Sequence, residues 1–163
     1  MQLRTILNSG NKFKSFVYGK ITFSEHNGEK CLEIEVLTRK NSQGRCGTCG
    51  EKSYTYDHLP ARKFEFVPLW GYQTFFVYRM RRVNCHMCGV KGEQVPWGHG
   101  NYSTTKTYMQ FLAHWAEKLS WKDTAVQFRS TWDKVFQSVK FVVEWGLKNR
   151  DMSNITAIVL LHQ

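Results

Sequence analysis

The stretch RRVNCHMCGVKGEQVPW, Arg81 to Trp97, sets two cysteines three positions apart, after a basic strand-like run and before a glycine. An earlier stretch, CGTCG from Cys46 to Gly50, repeats that arrangement. A redox pair, a metal knuckle and chance are the three readings of one such pair. A redox Cys-x-x-Cys opens a helix after a strand in a βαβ setting. Here both pairs sit in glycine turns between strand-like segments, and Gly50 and Gly89 let backbone N–H groups turn toward thiolate sulfurs without a Cβ in the way. Cys46, Cys49, Cys85 and Cys88 therefore read as four soft ligands for one structural Zn²⁺ with no open coordination position. His86, inside the second knuckle, is surplus to four thiolates, and His58 and His99 lack partner spacing. Four thiolates on one Zn²⁺ would lower the formal charge of +10 by about two. The first half of the chain is expected to fold poorly without the metal.

Outward from the knuckles, composition supports a folded chain. Of 163 residues, 42% are apolar and 15% aromatic, more than disordered chains carry. The basic surplus points to a polyanionic partner, nucleic acid before anionic membrane, against the plainer reading of a soluble basic protein. The opening MQLRTILNSGNKFK lacks the apolar core of a secretory signal, and the longest apolar runs, FFVY and AIVLL, are far too short to span a bilayer. The expected location is cytoplasmic, where thiols stay reduced, with no membrane partner and no small-molecule substrate.

The hydrophobic pattern predicts an α+β protein: a β-rich four-cysteine module over residues 1–101, then a three-helix module over 102–150. Ser15–Glu25 and Cys31–Arg39 read as strands joined by an Asn27-Gly28 hairpin turn. Leu32, Ile34 and Val36 share an apolar face, leaving Cys31 with Glu33 and Glu35 on the polar one. Lys63–Trp70 and Tyr72–Cys85 read as two further strands about Gly71. Phe75 and Val77 are apolar opposite Phe76 and Tyr78, so the second of these is expected to be covered on both faces, for instance by a helical module.

After Pro96 the period lengthens. Tyr108, Phe111, Leu112, Trp115 and Leu119 mark a helix that Thr104 or Thr105 can cap. Ser120-x-x-Asp123 has the form of a capping box and opens a second helix to about Phe128. After a tight turn at Arg129–Thr131, Thr131 caps a third helix, with Val135, Val139, Val142 and Val143 as its buried stripe, ending near Gly146. This order fits a helix-turn-helix or an ordinary three-helix bundle. On the first reading Thr131, Asp133, Lys134, Gln137 and Ser138 face base edges, while Lys122, Arg129 and Lys140 hold the backbone. Arg79, Arg81 and Arg82 beside the second knuckle are candidate phosphate contacts. Trp132 is a packing residue or a wedge against sugar and phosphate.

The ordered set CGTCG, YDHLPARK, RRVNCHMCG, VPW and SWKDTAVQFRSTWDKV resembles the N-terminal part of bacterial insertion-sequence transposases of the ISL-three type. That resemblance implies a zinc finger and a helix-turn-helix that bind double-stranded DNA at terminal inverted repeats, ahead of a ribonuclease-H-like domain with a DDE triad. In this family a strand like ITAI leads into the first catalytic Asp, whereas ITAIVLLHQ (155–163) carries no acid. Residues 151–163 are thus expected to be the remnant of a first catalytic strand, and the chain a truncated transposase without catalytic activity. Two other readings remain: a zinc-organised protein-interaction module, pairing with full-length transposase or with itself, and an RNA-binding zinc ribbon using Phe75, Phe76, Tyr78 and Arg79.

Overall fold

A computed structural model describes residues 2–150. The expected strand remnant at 151–163 lies outside them. The described chain is α+β, with a mixed sheet and four helices. It forms two compact units that divide after Tyr108.

The first unit opens with α1 (Leu3–Gly10), followed by β1 (Phe16–His26) and β2 (Glu29–Thr38). Asn27 and Gly28 both take positive φ, 53° and 77°, as the twist of a two-residue hairpin requires. Then come β3 (Gly44–Arg45), β4 (Lys52–Leu69), β5 (Tyr72–Cys85) and β6 (Gly89–Gly92). The sheet order is β1-β2-β5-β4-β3. Only β2 and β5 run parallel. Along one edge of β5, β2 pairs with Gln73–Tyr78 and β6 takes over at Arg82–Cys85.

Alternation decides which face becomes the core. Leu32, Ile34 and Val36 of β2, Phe76 and Tyr78 of β5, and Phe64 and Phe66 of β4 are buried together with Leu7 of α1. Trp97 seals this layer, with ring centroids of Phe13, Phe16, Phe64, Phe76 and Tyr78 within 6.3 Å of its own. Each buried ring of this kind is worth about 1.5–3 kcal/mol in transfer terms, so the aromatic layer is the main support of the sheet.

At several points the structure corrects or sharpens the sequence reading. Cys31 is 1% exposed rather than on a wet face, and its Sγ lies 3.0 Å from Ser24 Oγ. The second face of β5 is covered as expected, by side chains of the sheet itself: His26 packs edge-on to Phe75, and Lys63 lies over the same ring while paired with Glu33. Strand β4 begins at Lys52, well before Lys63, and α1 was not anticipated. Because Phe75, Phe76 and Tyr78 are all buried, they cannot stack on RNA bases.

α2 (Lys106–Trp115) starts where Thr105 Oγ1 accepts the Tyr108 N–H at 3.3 Å. α3 (Trp121–Gln127) starts at Ser120, whose Oγ accepts the Asp123 N–H at 3.1 Å. The Asp123 carboxylate is too short to reach back to the backbone and takes the Ser120 hydroxyl instead, at 2.6 Å. α4 (Trp132–Asn149) is capped by Thr131, which accepts the Lys134 N–H.

The turn from α3 to α4 is a Schellman motif: Ser130 N–H donates to Ala125 O and Arg129 N–H to Val126 O. Arg129 holds its left-handed position at φ 50°. Phe128 packs between Phe111 and Trp115, and Trp132 stacks on Phe136 beside Trp121. The expected valine stripe of α4 is only partly buried. Val135 and Ser138 are fully covered, Val139 and Val142 half covered, and Val143 is exposed.

Candidate metal centre and nucleic-acid interface

The two cysteine pairs sit at hairpin tips. Cys46 to Glu51 closes the β3–β4 hairpin, through Cys46 N–H to Glu51 O and Gly50 N–H to Cys46 O. Arg45 Nη1 donates to Gly50 O and holds the same turn. Cys85 to Gly89 joins β5 to β6. Gly50 and Gly89 stand at φ 78° and 71°, where a Cβ would be strained. The tips are stitched together by Gly47 N–H to Gly92 O and by a bridge between Cys46 and Glu93. Gly47 permits that approach: a Cβ there would meet Gly92 O at 2.6 Å.

The result brings the four expected ligands together. The sulfurs of Cys46, Cys49, Cys85 and Cys88 all lie within 4.8 Å of one another, with Cys49 and Cys85 at 3.5 Å. Backbone N–H groups of Cys49 and Thr48 push the Cys46 thiol down to about 6, and those of Cys88 and Met87 lower Cys85. Cys46 and Cys85 are buried, Cys88 partly so, and Cys49 exposed. Two thiols biased to thiolate and two more alongside make a donor set that could hold a metal ion. His86 and His58 are exposed, and His99 stacks on Tyr102.

Two of the three arginines expected on phosphates are otherwise engaged. Arg81 is 3% exposed. Its Nε and Nη2 donate to Glu93 at 3.0 and 2.8 Å, and its Nη1 donates to Ser42 O at 2.7 Å. Burial works against its charge, but the Glu93 carboxylate prevails and raises Arg81 above its ordinary value. Tyr78 also donates its hydroxyl to Glu93, and burial followed by that carboxylate pushes the phenol up. Arg81 is a strut between β5 and the chain after β6, not a phosphate ligand. Arg82 forms a two-pronged pair with Asp57, holding that carboxyl below its usual range, and lies over the Tyr56 ring. Arg79 alone of the three is exposed with no carboxylate recorded beside it.

Sequence reasoning missed Glu93. No local pattern marks it, because its partners Tyr78 and Arg81 come from β5, more than ten residues earlier in the chain.

On the second unit, Lys122, Arg129, Thr131, Asp133 and Lys140 are exposed, and Lys134 and Gln137 half exposed. Asp133, Gln137 and Lys140 follow at i, i+4, i+7 and share one face of α4. Lys140 reaches Glu144 one turn on, at 3.8 Å. Ser138 does not belong with them. It is buried, and its hydroxyl donates to Lys134 O at 2.6 Å. The i−4 carbonyl satisfies the one polar group, which lets Ser138 sit in the buried stripe rather than on the base-facing side expected for it. No helix among the described residues is long and apolar enough to cross a membrane. Comparison with protein-family models, with curated proteins and with solved structures found no match to this chain.

Proposed function

We propose that this chain is a zinc-organised, sequence-specific DNA-binding module in which α3, the turn at Arg129 and α4 act as a helix-turn-helix. The observation that carries the metal half is the four-sulfur cluster at two stitched hairpin tips. A tetrahedral Zn²⁺ with bonds of about 2.3 Å spaces its sulfurs about 3.8 Å apart, inside the spread observed here. When bound, zinc supplies a closed cross-link between the tips, worth on the order of 10–16 kcal/mol in apparent terms, and no catalytic position.

The DNA half is supported by the capped start of α4, the short Schellman turn before it, and a face carrying Asp133, Gln137 and Lys140. Such a helix, entering a major groove by its first turns, reads base edges with Gln and Lys while flanking cations hold phosphates. The motif resemblance to ISL-three-type transposases makes terminal inverted repeats the proposed target and DNA transposition the process, with no catalysis by these residues. The deciding experiment is selection of bound duplexes from a random pool, with metal analysis of the purified protein. One zinc per chain and an enriched motif lost on Gln137→Ala are expected. Absence of stoichiometric zinc, or of any enrichment, would overturn the reading.

A second reading has its own support. Val143, Trp145 and Leu147 are 52%, 60% and 57% exposed along the last turns of α4, which suits docking by another protein chain. Sedimentation of the chain alone and with an intact transposase separates the two.

A further inference from the structure

With Arg81 buried against Glu93 and Arg82 held by Asp57, the first unit keeps its phosphate-facing charge elsewhere. A groove of about 400 Å³ runs beside the first knuckle, along Gly47 and Thr48, and past β6 to the loop before α2. Three cations line it: Arg62 of β4, Lys91 of β6 and Lys106 at the start of α2. The lone carboxylate among its lining residues, Glu93, is neutralised by Arg81.

Arg62 is held in place. Its guanidinium donates to Asn101 O and lies 4.8 Å from the Phe64 ring centre, so a planar donor fork is fixed at the wall before any ligand arrives. Neither Lys91 nor Lys106 has a carboxylate recorded beside it. Gly92 and Gly100 add wall without side chains, and a Cβ at either would meet open space, so a backbone ligand can approach closely.

An uncompensated triad of cations around a polar hollow is costly unless anions collect there. The groove is too open and too polar to select an apolar ligand. We infer that Arg62, Lys91 and Lys106 form a phosphodiester clamp that grips the duplex DNA backbone independently of sequence. This rests on the DNA-binding reading above and adds the surface by which the metal-bearing unit takes part. Sequence inspection could not assemble it, because the three cations come from separate segments.

The test is salt-dependent binding of the full zinc-loaded chain to its selected duplex, to a scrambled duplex and to a single-stranded RNA. The variant Lys91→Gln/Lys106→Gln is compared with Lys20→Gln/Lys40→Gln, which removes equal charge from residues that do not line the groove. Metal content and melting temperature of both variants are matched to the parent.

The groove variant is expected to lose roughly fivefold to tenfold per lysine on both duplexes and to shallow the log–log salt slope by about two, with sequence preference unchanged. The control should change neither by more than a fraction of that. Parental affinity and slope in the groove variant overturn the clamp while leaving α4 as a reader. Equal losses in the control reduce the effect to net charge and also overturn it. Losses confined to single-stranded RNA reassign the partner and reject the duplex assignment. A parent chain that binds no duplex at all defeats both readings.

Discussion

Glu93 accepts from the Arg81 guanidinium and backbone and from the Tyr78 hydroxyl, and it sits within the strand contacts that stitch the two knuckles. Removing one partner of so buried a pair strands the other. Glu93→Ala should therefore cost about 3–5 kcal/mol in unfolding free energy by denaturant titration. Glu93→Gln keeps one acceptor oxygen but turns an NH2 group toward the guanidinium, so it should cost only somewhat less. Replacing the pair together, Arg81→Met with Glu93→Leu, should recover most of the loss, because no unpaired charge is left. If Glu93→Ala proves neutral, the network is not the strut described here. Arg129 presents the opposite case, a side chain kept at a backbone position that disfavours it. At φ 50° a glycine relieves left-handed strain. Arg129→Gly trades that relief against the interactions of the side chain, so it should leave stability within about 1 kcal/mol while weakening duplex binding several-fold at low salt. A parallel fall in both would show that Arg129 holds the turn through its side chain. Ser138 gives a third check. Its hydroxyl is satisfied within α4, so Ser138→Ala should leave DNA preference untouched and stability within about 1 kcal/mol. The bulkier Ser138→Gln should destabilise by overpacking, by about 1–3 kcal/mol.

Secondary elements were legible in the sequence wherever one local signal dominated. Asn27-Gly28 specified a hairpin because few other pairs accept positive φ twice in succession. Ser120 and Thr131 announced helix starts because an N-cap hydroxyl has one geometric use. The four ligands were legible because the metal's chemistry repeats in the chain as two identical spacings. Illegible elements were those stabilised from a distance. The first half of β4 is polar and contains Pro60, which argues against a strand, yet the ladder is irregular between His58 and Ala61 and asks no N–H of the proline. α1 is eight residues long with no side-chain cap, too weak a local signal, and is fixed through Leu7 in the aromatic core. Arg81 looked like a surface cation because a run of two arginines usually is one. Only the fold reveals that β5 turns the first inward and lets the second lie over Tyr56. Cys31 was misassigned for a similar reason: a strict two-sided pattern assumes one wet face, whereas His26, Phe75 and Lys63 cover the second one.

For the molecule as a whole, the sulfur cluster and the aromatic core are separate sources of order. Cys46, Val83, Cys85 and Cys88 form a small cluster of their own, while the rings around Trp97 make the larger one. Sequence reasoning expected the first half to fold poorly without metal, and the structure allows a sharper expectation. Losing the cation leaves four adjacent thiols with no cross-link between the two tips, so the tips should open. The loss should propagate along β3, β6 and the Arg82–Cys85 end of β5, whose pairing depends on those tips. It should stop before Ile34, Phe76 and Phe64, whose burial owes nothing to sulfur. Amide hydrogen exchange with and without a chelator measures this directly. Protection is expected to fall to near zero at the Cys46 and Gly47 amides, which donate to Glu51 O and Gly92 O, and to persist within a few-fold at Ile34 and Phe76. The Arg62–Lys91–Lys106 groove spans the boundary between these regions, with Lys91 on the metal-dependent side. Chelation should consequently weaken duplex binding and lower its salt slope even while the core remains protected. Uniform loss of protection across the first unit would instead make the metal the sole keystone, and the aromatic layer too weak to stand alone.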